Sequence, residues 1–95
     1  MITFAWDPRK NVANRRKHGV SFDEARTVFY DEHAARYYDP DHSEDEDRFI
    51  MLGLSSRLQV LVVHHGYRQD DSVIRIISAR KATVSEQQAY WKERP

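Results

Sequence analysis

The run Val73-Ile74-Arg75-Ile76-Ile77-Ser78-Ala79-Arg80 is apolar and β-branched almost throughout, and it carries an arginine at its centre. Such a composition reads as a buried strand, so the chain must build a sheet around it. A guanidinium there is expensive, because a buried charge without a partner costs several kcal/mol. Arg75 therefore either pairs with a fixed carboxylate, for which Glu46 is a candidate, or lines a site that receives an anion such as phosphate.

The remaining segments punctuate clearly. Ile2, Phe4 and Trp6 alternate as a short strand. Asp7 is a good N-cap and Pro8 a good first helical residue, which predicts a helix from Pro8 to Lys17 or His18 with Gly19 as its left-handed terminator. Ser21-Phe22-Asp23-Glu24 has the form of a capping box, with the Glu24 side chain expected to reach back to the Ser21 amide. The helix it opens places Phe22, Ala25, Val28 and Phe29 on one face and ends near Tyr30. Ala35 to Tyr38 is expected to be a strand, closed by the turn composition Asp39-Pro40-Asp41. Arg48 to Leu54, Leu58 to His65 and Ser72 to Ser78 are strands whose short connections imply antiparallel neighbours. From Thr83 to about Glu93 the period turns helical, with Val84, Gln88 and Trp91 along one stripe. This order predicts an α+β fold in which an antiparallel β-sheet carries two N-terminal helices and a C-terminal helix. At 95 residues the chain has room for one small core, so residues 1–95 are read as a single domain.

Lys and Arg total 15, Asp and Glu total 15, and the formal net charge is zero, which argues against a uniform field that steers nucleic acid. Local asymmetry survives: Arg9, Lys10, Arg15, Arg16 and Lys17 crowd the first helix, while Asp39 to Asp47 is strongly acidic. There is no cysteine, hence no disulfide, thiolate metal site or thiol nucleophile. Ile2 to Trp6 opens without a secretory leader and no segment is apolar enough to span a bilayer, so a cytoplasmic location is expected, with no membrane contact. Metal binding finds little support. His64 and His65 are adjacent on a strand and point to opposite faces, and a calcium loop counted from Asp39 has Glu44 and Ile50 where glycine and glutamate are needed. No Gly-x-Ser-x-Gly elbow or phosphate-cradling loop is present, and Ser78 has no evident base beside it. No cofactor is expected.

What the chain does offer suits RNA cleavage by the RNA's own 2′-hydroxyl. That reaction needs a base, an acid for the leaving 5′-oxygen and fixed positive charge for the phosphorane, but no metal. Each candidate also has a plainer reading. Arg80 is expected beyond the strand, where a solvated or capping role competes with phosphate contact, and strict alternation sets Arg75 and Arg80 on opposite faces because they are five apart. They converge only if the chain turns after Ser78. Lys17 and His18 suit a basic helix end, the alternative being that His18 donates or accepts a proton. Glu46 and Arg48, two apart, share a face as a surface pair or as a base beside its phosphate anchor. Tyr90 and Trp91 suit a core as well as a base-stacking platform.

Taken in order, Phe4-Ala5-Trp6-Asp7 with Lys10 and Asn14, Lys17-His18-Gly19-Val20-Ser21-Phe22-Asp23-Glu24-Ala25, His42-Ser43 with Glu46 and Arg48, Gly53, and Ile74 to Arg80 with Ala82, Glu86 and Tyr90 resemble the BrnT family, the toxins of BrnT/BrnA type II toxin-antitoxin systems. Lys17 to Phe22 followed by Ile74 to Arg80 is the specific part. The resemblance implies a RelE-like fold, a metal-independent endoribonuclease that halts growth, and neutralisation by a BrnA-like antitoxin. A ribbon-helix-helix region in that antitoxin would bring operator DNA only to the complex. On this reading Arg75, Arg80, Glu46 and His18 are the catalytic candidates, with Glu46 and His18 competing for proton transfer. Lys17, Arg48, Ser78 and Tyr90 are the substrate contacts. The competing hypothesis is a non-catalytic protein- or RNA-binding module in which Arg75 forms a structural ion pair.

Overall fold

The computed structural model describes residues 2–92. Strands β1 (Thr3–Ala5), β2 (Ala35–Tyr38), β3 (Arg48–Leu54), β4 (Val60–Arg68) and β5 (Val73–Lys81) form one sheet in the order β1-β5-β4-β3-β2. The expected antiparallel pairing holds from β2 to β5, whereas β1 joins the outer edge of β5 in parallel, making the sheet mixed. A parallel edge strand has no local signature, because its partner lies some 70 residues away: Phe4 pairs with Ile74. Past Arg75 the edge of β5 is covered by helix α1 (Pro8–His18). There the Asn14 side chain donates to the Ala79 carbonyl at 2.8 Å and accepts from the Ala79 amide at 3.1 Å. A single buried amide thus replaces one rung of a strand.

Helix α1 begins and ends where the sequence places it: Asp7 accepts from the Arg9 amide, and Gly19 has φ 71° with its amide on the Arg15 carbonyl. Helix α2 (Phe22–Thr27) continues as a 3-10 turn over Val28–Tyr30. Ser21 caps it, but the Glu24 side chain does not return to the Ser21 amide. It is buried, and Oε2 accepts instead from Ser55 Oγ at 2.6 Å and Gln59 Nε2 at 2.9 Å. Both partners lie in the β3–β4 turn, so a residue of local helix form became a tertiary tie.

β4 is buried on both faces, which explains its continuous apolar run Val60-Leu61-Val62-Val63. One face joins Val20, Phe22, Ala25, Val28, Leu61, Val63, Ile76 and Ala79 in the main core under α1 and α2. The other carries a smaller cluster of Leu52, Val60, Val62, Ala82 and Tyr90 beneath helix α3 (Val84–Lys92). The buried face of α3 is that of Tyr90, not the stripe expected from Val84 and Trp91, which are 71% and 47% exposed. The expected helix end near Glu93 lies outside the described residues. β4 starts at Val60 because Ser55 to Gln59 closes as a turn with Leu58 at φ 62°. It runs on to Arg68 because the reversal is made tightly by Gln69, Asp70 and Asp71, all at positive φ. No described helix is long and apolar enough to cross a membrane.

Candidate active site

One residue of β5 decides what its charged side chains face. Across the β4–β5 ladder His64 pairs with Ser78 while His65 pairs with Ile76, so Ile77 is an extra residue, a bulge. The bulge resets the alternation. Ile76 and Ala79, three apart, both enter the main core, and Arg75 and Arg80, five apart, are brought to the opposite face together. The expected divergence is thus corrected by an irregularity inside the strand. Arg80 itself belongs to β5 and not to a loop after it.

On that face Arg48, Gly66 and Arg75 stand side by side across β3, β4 and β5. Glu46, just ahead of β3, lies over Gly66, where a Cβ would meet Oε1 at 3.8 Å. Its carboxylate accepts a hydrogen bond from Arg75 Nη2, with Arg68 Nη1 at 3.6 Å and Arg48 Nε at 3.8 Å. Burial opposes ionisation of Glu46, but the hydrogen bond and charge of Arg75, joined by Arg68 and Arg48, outweigh it and hold the pKa below the usual value. Three guanidiniums face one carboxylate. Arg48 Nε and Arg75 Nε are moreover buried with no acceptor among the described residues, so the cluster holds more donors than its carboxylate satisfies.

The next pair along β4 and β3 is His64 with Ile50. Asp39, buried, directs Oδ2 at His42 Nδ1 at 2.8 Å and at His64 Nδ1 at 3.7 Å. Burial lowers the His64 pKa below 6.5, with Arg80 and His42 adding to the effect and Asp39 opposing it. The loop that brings Asp39 and Glu46 here is pinned by Ser43, whose hydroxyl donates to the Asp39 carbonyl at 2.6 Å and accepts from the Arg48 amide at 2.9 Å. One step further, Arg80 makes a two-pronged pair with Glu86 at 2.8 and 3.0 Å. The Arg80 hydrogen bonds hold the Glu86 pKa at about 2 against the cost of burial. The face therefore presents, in order, an arginine cluster, a histidine pair on one carboxylate and a held arginine.

A family model described as ribonuclease toxin, BrnT, of type II toxin-antitoxin systems matches residues 6–86. The chain belongs to the BrnT family. It is accordingly a ribonuclease toxin, with RNA as substrate and an antitoxin as partner. In fold it is similar to the crystal structure of the Brucella abortus ribonuclease toxin BrnT, at 21% identity and a TM-score of 0.63, over 87% of this chain and 99% of that one. No curated protein matches in sequence.

In this member of the BrnT family the expected site residues separate into groups. Glu46, Arg48, Arg75 and Arg80 share the face just described. Lys17 and His18 lie at the end of α1, in a shallow cavity at the β5 edge with Lys10, Asn14, Ile77 and Ser78. Among the described residues no hydrogen bond or ion pair joins His18 to Glu46. Ser78 is the joint between the two places, since it lines that cavity and pairs with His64. Tyr90 departs from its expected substrate role. It is 3% exposed and its hydroxyl donates to Asp31 Oδ2 at 2.5 Å, which makes it a core residue, and the family match ends before it.

Arg68, His64, Asp39, His42 and Glu86 were not among the expected site residues. Arg68 and His64 are an even number apart from Gly66 on β4, so alternation alone sets them on its face. Asp39 and Glu86 reach the site through a turn and a helix start, for which the sequence carries no distance.

Proposed function

We propose that the face carrying Glu46, Arg75, His64 and Arg80 cleaves RNA without a metal ion, by attack of the 2′-hydroxyl on the adjacent phosphate. His64 Nε2 takes the 2′-proton as the 2′-oxygen bonds to phosphorus. The bond from phosphorus to the 5′-oxygen breaks, and His42 Nε2 returns a proton to that oxygen. The products are a 2′,3′-cyclic phosphate and a 5′-hydroxyl. Arg75 and Arg80, with Arg48 and Arg68 beside them, hold the phosphate and the charge that develops on it. The observation that carries this reading is the bulge at Ile77, which sets Arg75 and Arg80 on one face with His64 beside Ser78 between them.

His64 suits the base role better than the other two candidates. Glu46 is committed to Arg75 and its lowered pKa makes it a weak base, while His18 stands apart at the β5 edge. Glu46 then acts as the anchor that spaces three guanidiniums before phosphate arrives. The family reading extends to a BrnA-like antitoxin with a ribbon-helix-helix region, through which the complex would meet operator DNA, and to action in the cytoplasm.

Purified protein incubated with RNA in excess EDTA tests the chemistry. The expected products carry cyclic phosphate and 5′-hydroxyl ends, and 5′-phosphate ends would sink the mechanism. His64→Ala is expected to slow cleavage on the order of 10² to 10⁴-fold. Because neutral His64 is the base and its pKa is lowered, the rate falls as pH drops below 6.5, and this acid limb vanishes in the variant.

A further inference from the structure

Helix α3 covers only part of the sheet face it packs on. Between it and β2 runs a cavity of about 270 Å³ lined by Tyr37, Ile50, Leu52, Val62, Glu86 and Ala89. Its floor is aliphatic, and its one aromatic wall is Tyr37, the register partner of Ile50 on the edge strand. Tyr37 is 51% exposed, and among the described residues its ring meets no other ring. Its neighbour Tyr38, on the opposite face, is by contrast packed edge-on against Phe49 and bonded to Asp47.

The cavity is continuous with the proposed cleavage face. Ile50 pairs with His64 and Val62 pairs with Arg80, so two floor residues border the imidazole and the guanidinium. Glu86, which holds Arg80, is itself part of the wall. A ligand that fits has a flat apolar part for the groove and an anionic part for Arg80, attached directly to one another. That is the chemistry of a nucleotide.

We infer that this groove is a base-binding subsite, in which a nucleobase next to the scissile phosphate stacks on Tyr37 over Ile50, Leu52 and Val62. The inference rests on the ribonuclease face proposed above and adds a substrate-positioning residue to it. Stacking on a single aromatic side chain is tolerant of base identity, so the subsite strengthens binding more than it selects sequence.

An RNA oligonucleotide with a 2′-O-methyl group at the cleavage position, which lacks the attacking hydroxyl, separates binding from chemistry. Tyr37→Ala is expected to weaken its binding, read by fluorescence anisotropy, on the order of tenfold, while Tyr37→Phe keeps wild-type affinity. An abasic residue at one position of the oligonucleotide should reproduce that loss in the wild type and add little in Tyr37→Ala. Wild-type binding by a folded Tyr37→Ala overturns the inference, as does a loss that multiplies with every abasic position. So does a variant that keeps RNA binding but no longer holds the antitoxin, which would make the groove a protein-docking surface. If the wild type binds the analogue with this pattern yet fails to cleave intact RNA, the cleavage mechanism falls and the subsite stands.

Discussion

At the scale of single residues, Arg75, half-buried, is both of the things an arginine in an apolar strand can be. Its Nη2 is bonded to Glu46, so the strand pays no unpaired charge, yet its Nε has no acceptor among the described residues and two more guanidiniums compete for the same carboxylate. Arg75→Ala is therefore expected to lower RNA cleavage by about 10² to 10³-fold while the domain stays folded. The pair Arg75→Met with Glu46→Leu should match or exceed wild-type stability in urea without recovering cleavage. Recovery of cleavage by that pair would reduce Arg75 to an ion-pair role. Arg75 was legible as an anomaly because a charge in an apolar run is a local fact. Its three-to-one environment was not, since Glu46 comes to it from the loop ahead of β3 and Arg68 from β4. Gly53 shows the same limit: a Cβ there would lie 2.7 Å from Val28 Cγ1, and nothing in the neighbouring sequence says so.

Among the elements, α3 carries the reciprocal capping box that α2 lacks. The Thr83 amide donates to Glu86 Oε1 at 2.8 Å and the Glu86 amide donates to Thr83 Oγ1 at 3.2 Å. The same Glu86 side chain holds Arg80, so the start of the helix and the aim of the guanidinium are one structure. Glu86→Ala should cost about 1 kcal/mol through the lost cap and also reduce cleavage, read as a lower kcat with little change in KM. Thr83→Ala supplies the control, because it weakens the cap and leaves the Arg80 pair intact. Equal losses of activity in the two variants would show that Glu86 acts only through the helix. Both capping boxes have the same sequence form. At Glu24 two partners from the β3–β4 turn, the buried Ser55 and Gln59, outbid the local amide; at Glu86 the competing partner left the cap in place.

Across the whole molecule, titration of the buried His65 sets the acid limit of the fold. His65 is fully buried, with Nδ1 donating to the Val63 carbonyl at 3.1 Å and Nε2 accepting from the Tyr67 hydroxyl at 3.3 Å. Burial lowers its pKa to about 4. The unfolded chain binds this proton near pH 6.5 and the folded chain only near 4, so the stability it supports is complete above 6.5 and is lost as pH falls toward 4. The loss from His65 alone is about 3 kcal/mol, and His64, lowered in the same sense, adds to it. Urea unfolding at pH 7.5, 5.5 and 4.5 measures the slope, which His65→Gln should flatten; equal midpoints at all three values for the wild type would contradict it. The carboxylates of Asp31, Glu46 and Glu86 are held low and so withdraw their contributions only at more acid pH.

The sequence by itself determined the main helices and strands and their order along the chain, the Asp7 and Ser21 caps and the Gly19 stop. Each of these is written in residues a few positions apart, such as Asp7-Pro8 and Gly19, through backbone geometry and hydrophobic period. Tertiary structure alone decided that β1 adds in parallel, that Glu24 leaves its cap, and that the Ile77 bulge turns Arg75 and Arg80 to one face. These outcomes depend on which distant group is the better partner once the core closes, and a one-residue change of register reverses every side chain that follows it.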